Sequence, residues 1–326
     1  MSDRPGIWTS ALNADCAPLL SPRTGRVRLY DTTLRDGEQT VGVVLSPEQK
    51  LAIARHLDAL GIARIEAGFP QVSRDDEEAF RLIQRAGLRA EVWGFARCTA
   101  ADVATLARLE ARAAVLEVPS SDIKLRAYGL TREEAVRRAT TATSQARQSG
   151  IRVLFFPVDS TRADLDFLRD LYRAAQAAGA EEAAIVDTLG ACGPEAVARL
   201  VGLVREWLGP GVPLHFHGHN DFGLATACSL AAVGAGAGWI QGTINGMGER
   251  AGNADLGEVA LALHVLYGVP VELNFAHIRA ASKFVCEAAG YSLEAWKPVV
   301  GENLFVRESG AVASQFHTPE AIEPFA

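Results

Sequence analysis

The chain has 326 residues, 48% hydrophobic and 22% charged, with 32 Lys+Arg against 39 Asp+Glu for a net charge of −7. This composition excludes a largely disordered or fibrous chain, and the acidic balance excludes a broad nucleic-acid surface, which needs clustered positive charge. No apolar run reaches the roughly 18 residues of a membrane span; the N-terminus lacks a secretory pattern; five scattered cysteines without a CxxC pair point to a reduced, cytoplasmic protein without a thiolate metal site.

Residues 1–26 carry Pro, Ser and Gly without a periodic pattern and read as an N-terminal arm. From residue 27, apolar β-rich pieces alternate with Ala/Leu/Arg-rich amphipathic pieces at a period of roughly 30 residues. Eight strands are predicted, at residues 27–31, 62–67, 91–95, 114–118, 152–156, 183–187, 213–217 and 239–243. Between them lie helix-start signals. Ser46-Pro47-Glu48 sets a cap residue before a proline, Thr131-Arg132-Glu133-Glu134 reads as a capping box, and Gly193-Pro194-Glu195 again places Pro at a helix start. Gly61, Gly87, Gly150 and Gly179 close helices. Eight strand–helix units over residues 27–272 predict an α/β fold, a (β/α)8 TIM barrel. The competing doubly wound sheet lacks a GxGxxG after its first strand. Residues 273–326, with one helical stretch at 275–289, read as a small, mostly helical C-terminal appendage.

Barrel chemistry sits at the C-terminal strand ends, and polar residues concentrate there: Asp31 to Gln39 after strand 1, Glu66, Arg97, Asp187-Thr188, His215 to Asp221, and Asn245 to Asn253. His217 and His219 stand at i and i+2 of a strand, so both imidazoles face one side. A carboxylate from another strand end, Asp36 or Asp221, would complete a metal site. Imidazole plus carboxylate suits Zn, Mn, Co, Ni or Mg. His215 shares the parity but lies deeper and reads as core. Arg35 beside Asp36 could polarise a substrate oxygen together with a metal. The loop Asn245–Asn253 fits a phosphate cradle, a metal-ligand loop or a tight barrel corner.

Asp31-Thr32-Thr33-Leu34-Arg35-Asp36-Gly37-Glu38-Gln39, Glu66-Ala67-Gly68-Phe69-Pro70, His217-Gly218-His219-Asn220-Asp221 and Gly248-Glu249-Arg250-Ala251-Gly252-Asn253 follow one another in this order. Together they resemble the homocitrate synthase / 2-isopropylmalate synthase family, and within it the short homocitrate synthases of the nitrogenase-cofactor type. The resemblance runs from about residue 27 to about residue 310. It implies a metal-dependent barrel that condenses acetyl-CoA with a 2-oxo acid, 2-oxoglutarate-like in the homocitrate case, and hydrolyses the thioester. By this resemblance Asp36, His217 and His219 hold one divalent metal (Zn, Mn, Co or Mg), with Asn253 in the same shell. Arg35 steadies the growing alkoxide, Thr188 meets the substrate carboxylate, and Glu66 lies nearby; Arg97, from its place at the strand-3 end, is a further candidate substrate contact. The related 3-hydroxy-3-methylglutaryl-CoA lyase carries a catalytic cysteine in the strand-8 loop. Here that loop has none, which favours synthase over a lyase or aldolase on the same metal site. The family's C-terminal leucine-sensing domain is expected to be absent.

Two departures stand out. The family pattern His-Glu-Ser-Gly-Ile-His appears here as Arg307-Glu308-Ser309-Gly310-Ala311-Val312, so the histidine usually assigned to proton abstraction is replaced by Val312. His317, five residues on, is the candidate general base, and Glu66 the alternative. Gly-Glu-Asp at the strand-5 end of similar homocitrate synthases is replaced by Pro157-Val158-Asp159, with Phe155 and Phe156 beside it. That implies a changed pocket and an unusual 2-oxo acid. The C-terminal segment is expected to cross onto a second copy, making a homodimer.

Overall fold

A computed structural model describes residues 5–17 and 26–326. Eight parallel strands close into one barrel in sequence order: β1 (Arg28–Asp31), β2 (Arg64–Glu66), β3 (Glu91–Arg97), β4 (Ala113–Pro119), β5 (Arg152–Val158), β6 (Glu182–Asp187), β7 (Leu214–Gly218) and β8 (Trp239–Gly242). The barrel helices are α1 (Pro47–Leu60), α2 (Arg74–Arg85), α3 (Ala100–Arg108), α4 (Arg132–Gln148), α5 (Leu165–Ala177), α6 (Pro194–Leu208), α7 (Ala225–Ala235) and α8 (Leu256–Tyr267). Among the described residues, no helix is long and apolar enough to cross a membrane.

The helix starts follow local chemistry. Ser46 forms a full capping box with Gln49, and Pro47 opens α1. Thr131 caps α4 by accepting from the Glu134 amide. The reciprocal half of that predicted box does not form, because the Glu134 carboxylate is engaged by Arg137 and Arg138. Gly61 ends α1 at φ 96°, the left-handed conformation that favours glycine.

Strand residues alternate between two apolar layers. Leu29, Ile65, Ala114, Leu116, Phe155 and Ile185 pack outward beneath the helices. Tyr30, Trp93, Phe95, Val115, Phe156 and Val186 fill the barrel itself. Phe155 and Phe156 therefore do different work. Phe155 packs against Tyr172, 5.9 Å between ring centroids, and only Phe156 faces the interior.

The lower end of the barrel is closed by charge. Arg64 binds Glu182 through two nitrogens at 2.6 and 3.1 Å and reaches Glu91 at 2.9 Å. Its guanidinium lies 4.6 Å from the Trp93 ring centroid and 3.7 Å from that of Trp239. His215 completes the cluster, 2.7 Å from Glu182 and stacked on Trp239. The core reading of His215 thus holds.

After α8 the chain crosses back to α1, where the Asn274 amide donates to the Leu60 carbonyl at 2.8 Å. Helix α9 (Ile278–Ala289) follows a 3-10 turn at Phe275–His277, and the last segment is irregular apart from short turns. Of the expected N-terminal arm, residues 1–4 and 18–25 lie outside the described residues. Within the part described, Leu12–Cys16 form a short helix, and Ile7 bridges to Phe325 at the other end of the chain.

Burial alone would raise the Glu182 carboxyl, but the His215 hydrogen bond and Arg64 outweigh it and hold it down to about 2. Its unfolded value is about 4.3, so its contribution to stability is complete above that pH and is lost as pH falls toward about 2. Glu182→Ala, which strands Arg64 in the interior, should cost about 3–5 kcal/mol at neutral pH in urea unfolding. A loss below about 1 kcal/mol would show that the cluster is not a structural tie.

Candidate active site at the barrel mouth

The loop after β1 turns sharply around one carbonyl. The amides of Arg35, Asp36 and Gly37 all donate to the Thr32 oxygen, at 3.1, 2.8 and 3.1 Å. Asp31 braces the turn by accepting from the Thr33 amide and hydroxyl, both at 2.8 Å. Arg35 and Asp36 are thereby folded back over the barrel, where both are buried.

Asp36 meets the two strand-7 histidines there. Its Oδ2 lies 3.1 Å from His217 Nε2, and its Oδ1 lies 3.6 Å from His219 Nε2. The three side chains offer ligand atoms within 4.8 Å of one another, all buried. Asp36 Oδ1, His217 Nδ1, both ring nitrogens of His219 and Asn253 Oδ1 are buried without a hydrogen-bond partner. Buried polar atoms are seldom left unsatisfied without a functional reason, and this donor set of two imidazoles, a carboxylate and an amide oxygen fits a divalent cation. Burial holds the His217 imidazole down to about 4 even against the pull of Asp36, so it stays neutral, as a ligand must be. Burial would raise the Asp36 carboxyl, but Arg35 and the two histidines keep it well below the ordinary carboxylate range.

Asp221, the other carboxylate the sequence allowed, is taken by Arg250 at 2.8 and 3.0 Å. The glycine-rich stretch Asn245–Asn253 is a tight corner. A Cβ on Gly252, at φ 83°, would lie 1.9 Å from the Gly246 carbonyl, and one on Gly248 would lie 2.2 Å from Asn253 Nδ2. This close threading seats Asn253, whose Nδ2 donates to the Met247 carbonyl at 2.9 Å and leaves its oxygen free.

Arg35 lies between two carboxylates. Its Nε donates to Glu66 Oε1 at 2.5 Å, and its Nη1 lies 3.2 Å from Asp36. The Tyr30 hydroxyl donates to the other Glu66 oxygen at 2.8 Å. The guanidinium carbon lies 4.1 Å from the Phe95 ring centroid, and Nη2 is buried with no partner. Burial would lower the Arg35 pKa, but Glu66 and Asp36 raise it, so the charge is fixed. Burial raises the Glu66 carboxyl despite its bonds from Arg35 and Tyr30.

The remaining expected residues are dispersed. The Thr188 hydroxyl oxygen accepts from the Asp159 amide at 2.8 Å, which leaves its proton available to donate. Arg97 is half exposed, bound to Asp102 at 2.9 and 3.1 Å, with its guanidinium 5.2 Å from the Phe69 ring centroid. His317 is exposed on the C-terminal segment and is not part of the buried Asp36–His217–His219 cluster. Tyr30 and Glu117 were missed in the sequence. Strand parity, which turns both side chains inward, was the available signal.

The chain is 44% identical over 304 residues to a Methanothermobacter thermautotrophicus protein provisionally named (R)-citramalate synthase, covering 92% of this chain and 61% of that one. It is 42% identical over 300 residues to the Methanopyrus kandleri homocitrate synthase AksA, covering 91% and 75%. The chain thus spans about three fifths of the first relative's length. The crystal structure of Brucella melitensis HMG-CoA lyase superposes with a TM-score of 0.73 at 21% identity, covering 81% of this chain and 99% of that one, a likeness of fold. Residues 26–285 match the HMGL-like family, and the chain belongs to it.

Proposed function

We propose that this chain joins the methyl carbon of acetyl-CoA to the carbonyl carbon of a small 2-oxo acid. Water then cleaves the thioester, releasing CoA and a 2-hydroxy-2-carboxymethyl acid. The observation that carries this reading is the buried, unpartnered Arg35 Nη2 beside the Asp36–His217–His219 cluster. That arrangement suits a carbonyl oxygen gaining negative charge. The relatives named as homocitrate and citramalate synthases support the same reading.

A divalent cation held by Asp36, His217 and His219, with Asn253 beside them, would supply Lewis-acid polarisation of the carbonyl. The chain's own residues do the rest. Arg35, with Nε anchored on Glu66, points its free nitrogen at the developing alkoxide. Thr188 donates its hydroxyl proton to the acid's carboxylate, and Arg97 contacts substrate farther out on the rim. Methyl deprotonation is assigned to His317, reaching the site from the C-terminal segment of a second copy in a homodimer. Glu66 is the poorer base, since both its oxygens already accept bonds from Arg35 and Tyr30. The five unpaired cysteines suit the cytoplasm.

Purified protein should bind about one divalent ion per chain, and His217→Ala or Asp36→Ala should abolish it. Unchanged ion content in both variants, read by metal analysis, would remove the site. In a thiol-release assay, CoA should appear only with both a 2-oxo acid and a divalent ion. In that assay Arg35→Ala should lower kcat by on the order of 10²–10³, with ion content unchanged. No CoA from any 2-oxo acid would reject the reaction. His317→Ala should lose roughly tenfold or more in kcat, along with one ionisation in the pH–rate profile; wild-type turnover and profile would pass the role to Glu66.

A further inference from the structure

Arg35 and His217 both border the part of the barrel interior formed by β3 to β6, and its inner layer is apolar. The Phe95 and Phe156 rings meet edge to face, 5.9 Å between centroids. The Phe156 ring lies 5.2 Å from that of His217, and the Arg35 guanidinium lies 4.1 and 5.9 Å from Phe95 and Phe156. Val115, Leu154 and Val186 belong to the same interior cluster.

Glu91 and Glu182 of these strands belong to the cluster at the lower end, and Glu117 is a carboxyl nearer their upper end. It stands in register with Arg97 of β3 on one side and Phe156 of β5 on the other. It shares the inward parity of Val115 two residues earlier. Burial pushes it up to about 7, against the opposing pull of Arg35 and Arg97. Both cations are already paired with carboxylates of the chain, and the one unpartnered nitrogen of Arg35 is the group proposed for the carbonyl oxygen. Arg35 already serves Glu66 and Asp36, and Arg97 serves Asp102. An acid with a second carboxylate would bring it to aromatic rings and a like-charged neighbour, where each nearby guanidinium is already paired with a carboxylate of the chain.

Building on the condensation reading, we propose that the 2-oxo acid is a monocarboxylate with an apolar side chain packed on Phe95 and Phe156, and that Glu117 disfavours any acid with a second carboxylate. This narrows the acid away from the 2-oxoglutarate type.

Calorimetric titration of the manganese-loaded chain with 3-methyl-2-oxobutanoate and with 2-oxoglutarate reads this preference without turnover. The branched acid should bind about tenfold tighter or more. Equal or tighter binding of 2-oxoglutarate would overturn the proposal. Glu117→Gln should narrow the gap by about threefold or more through stronger 2-oxoglutarate binding; an unchanged gap would remove Glu117 from it. The same acids in the thiol-release assay separate the two readings. The binding preference without CoA release would overturn the condensation and leave the side-chain preference standing.

Discussion

The barrel mouth is organised around one buried cation. A unit charge taken out of water loses several kcal/mol of hydration. A single carboxylate about 4 Å away returns only about 4 kcal/mol at an effective dielectric of about 20. One partner would barely offset the burial of Arg35. Two carboxylates, Glu66 and Asp36, and the face of Phe95 together hold it. Tyr30 in turn fixes Glu66 from below. Because these partners come from β1, β2, β3 and the first loop, the guanidinium can move only if the barrel does. It is a preorganised charge with one unpartnered nitrogen, the group proposed to meet a substrate oxygen.

The two ends of the barrel use the same residue types to opposite effect. Below, Arg64 is saturated by Glu182 and Glu91 and sandwiched between Trp93 and Trp239, with His215 on the far side of Glu182. Every charge there has a partner, and the cluster seals the barrel. Above, unsatisfied atoms gather on Asp36, His217, His219, Asn253 and Arg35. An arrangement that leaves five buried side chains short of partners is unfavourable for folding alone. A divalent cation would satisfy the open atoms of Asp36, His217, His219 and Asn253. Charge balance agrees: Asp36 and Glu66 outweigh Arg35 by one negative charge, which favours a cation between them.

Much of this was legible in the sequence because it depends on periodicity. The eight strands and the start signals at Ser46, Thr131 and Gly193 are local, and His217 and His219 share a face because β-strands alternate. What was not legible depends on loops and on distant pairs. Nothing local to Asp36 and Asp221 decides between them. The choice follows from the turn around the Thr32 carbonyl and from the capture of Asp221 by Arg250. Phe155 and Phe156 looked equivalent as a pair, although parity separates them. Glu117, a lone acid in an apolar strand, matters only through its neighbours Arg97 and Phe156 on adjacent strands.

The central claim is that Asp36, His217 and His219 form a cation site with Arg35 aimed at the same substrate oxygen. Crystals soaked with manganese and a 2-oxo acid, examined by anomalous diffraction at the manganese edge, test it most directly. The account predicts a single strong peak among the three side chains, with the acid's carbonyl oxygen within hydrogen-bond distance of Arg35 Nη2. A peak elsewhere, or an acid whose carbonyl turns away from Arg35, would contradict it.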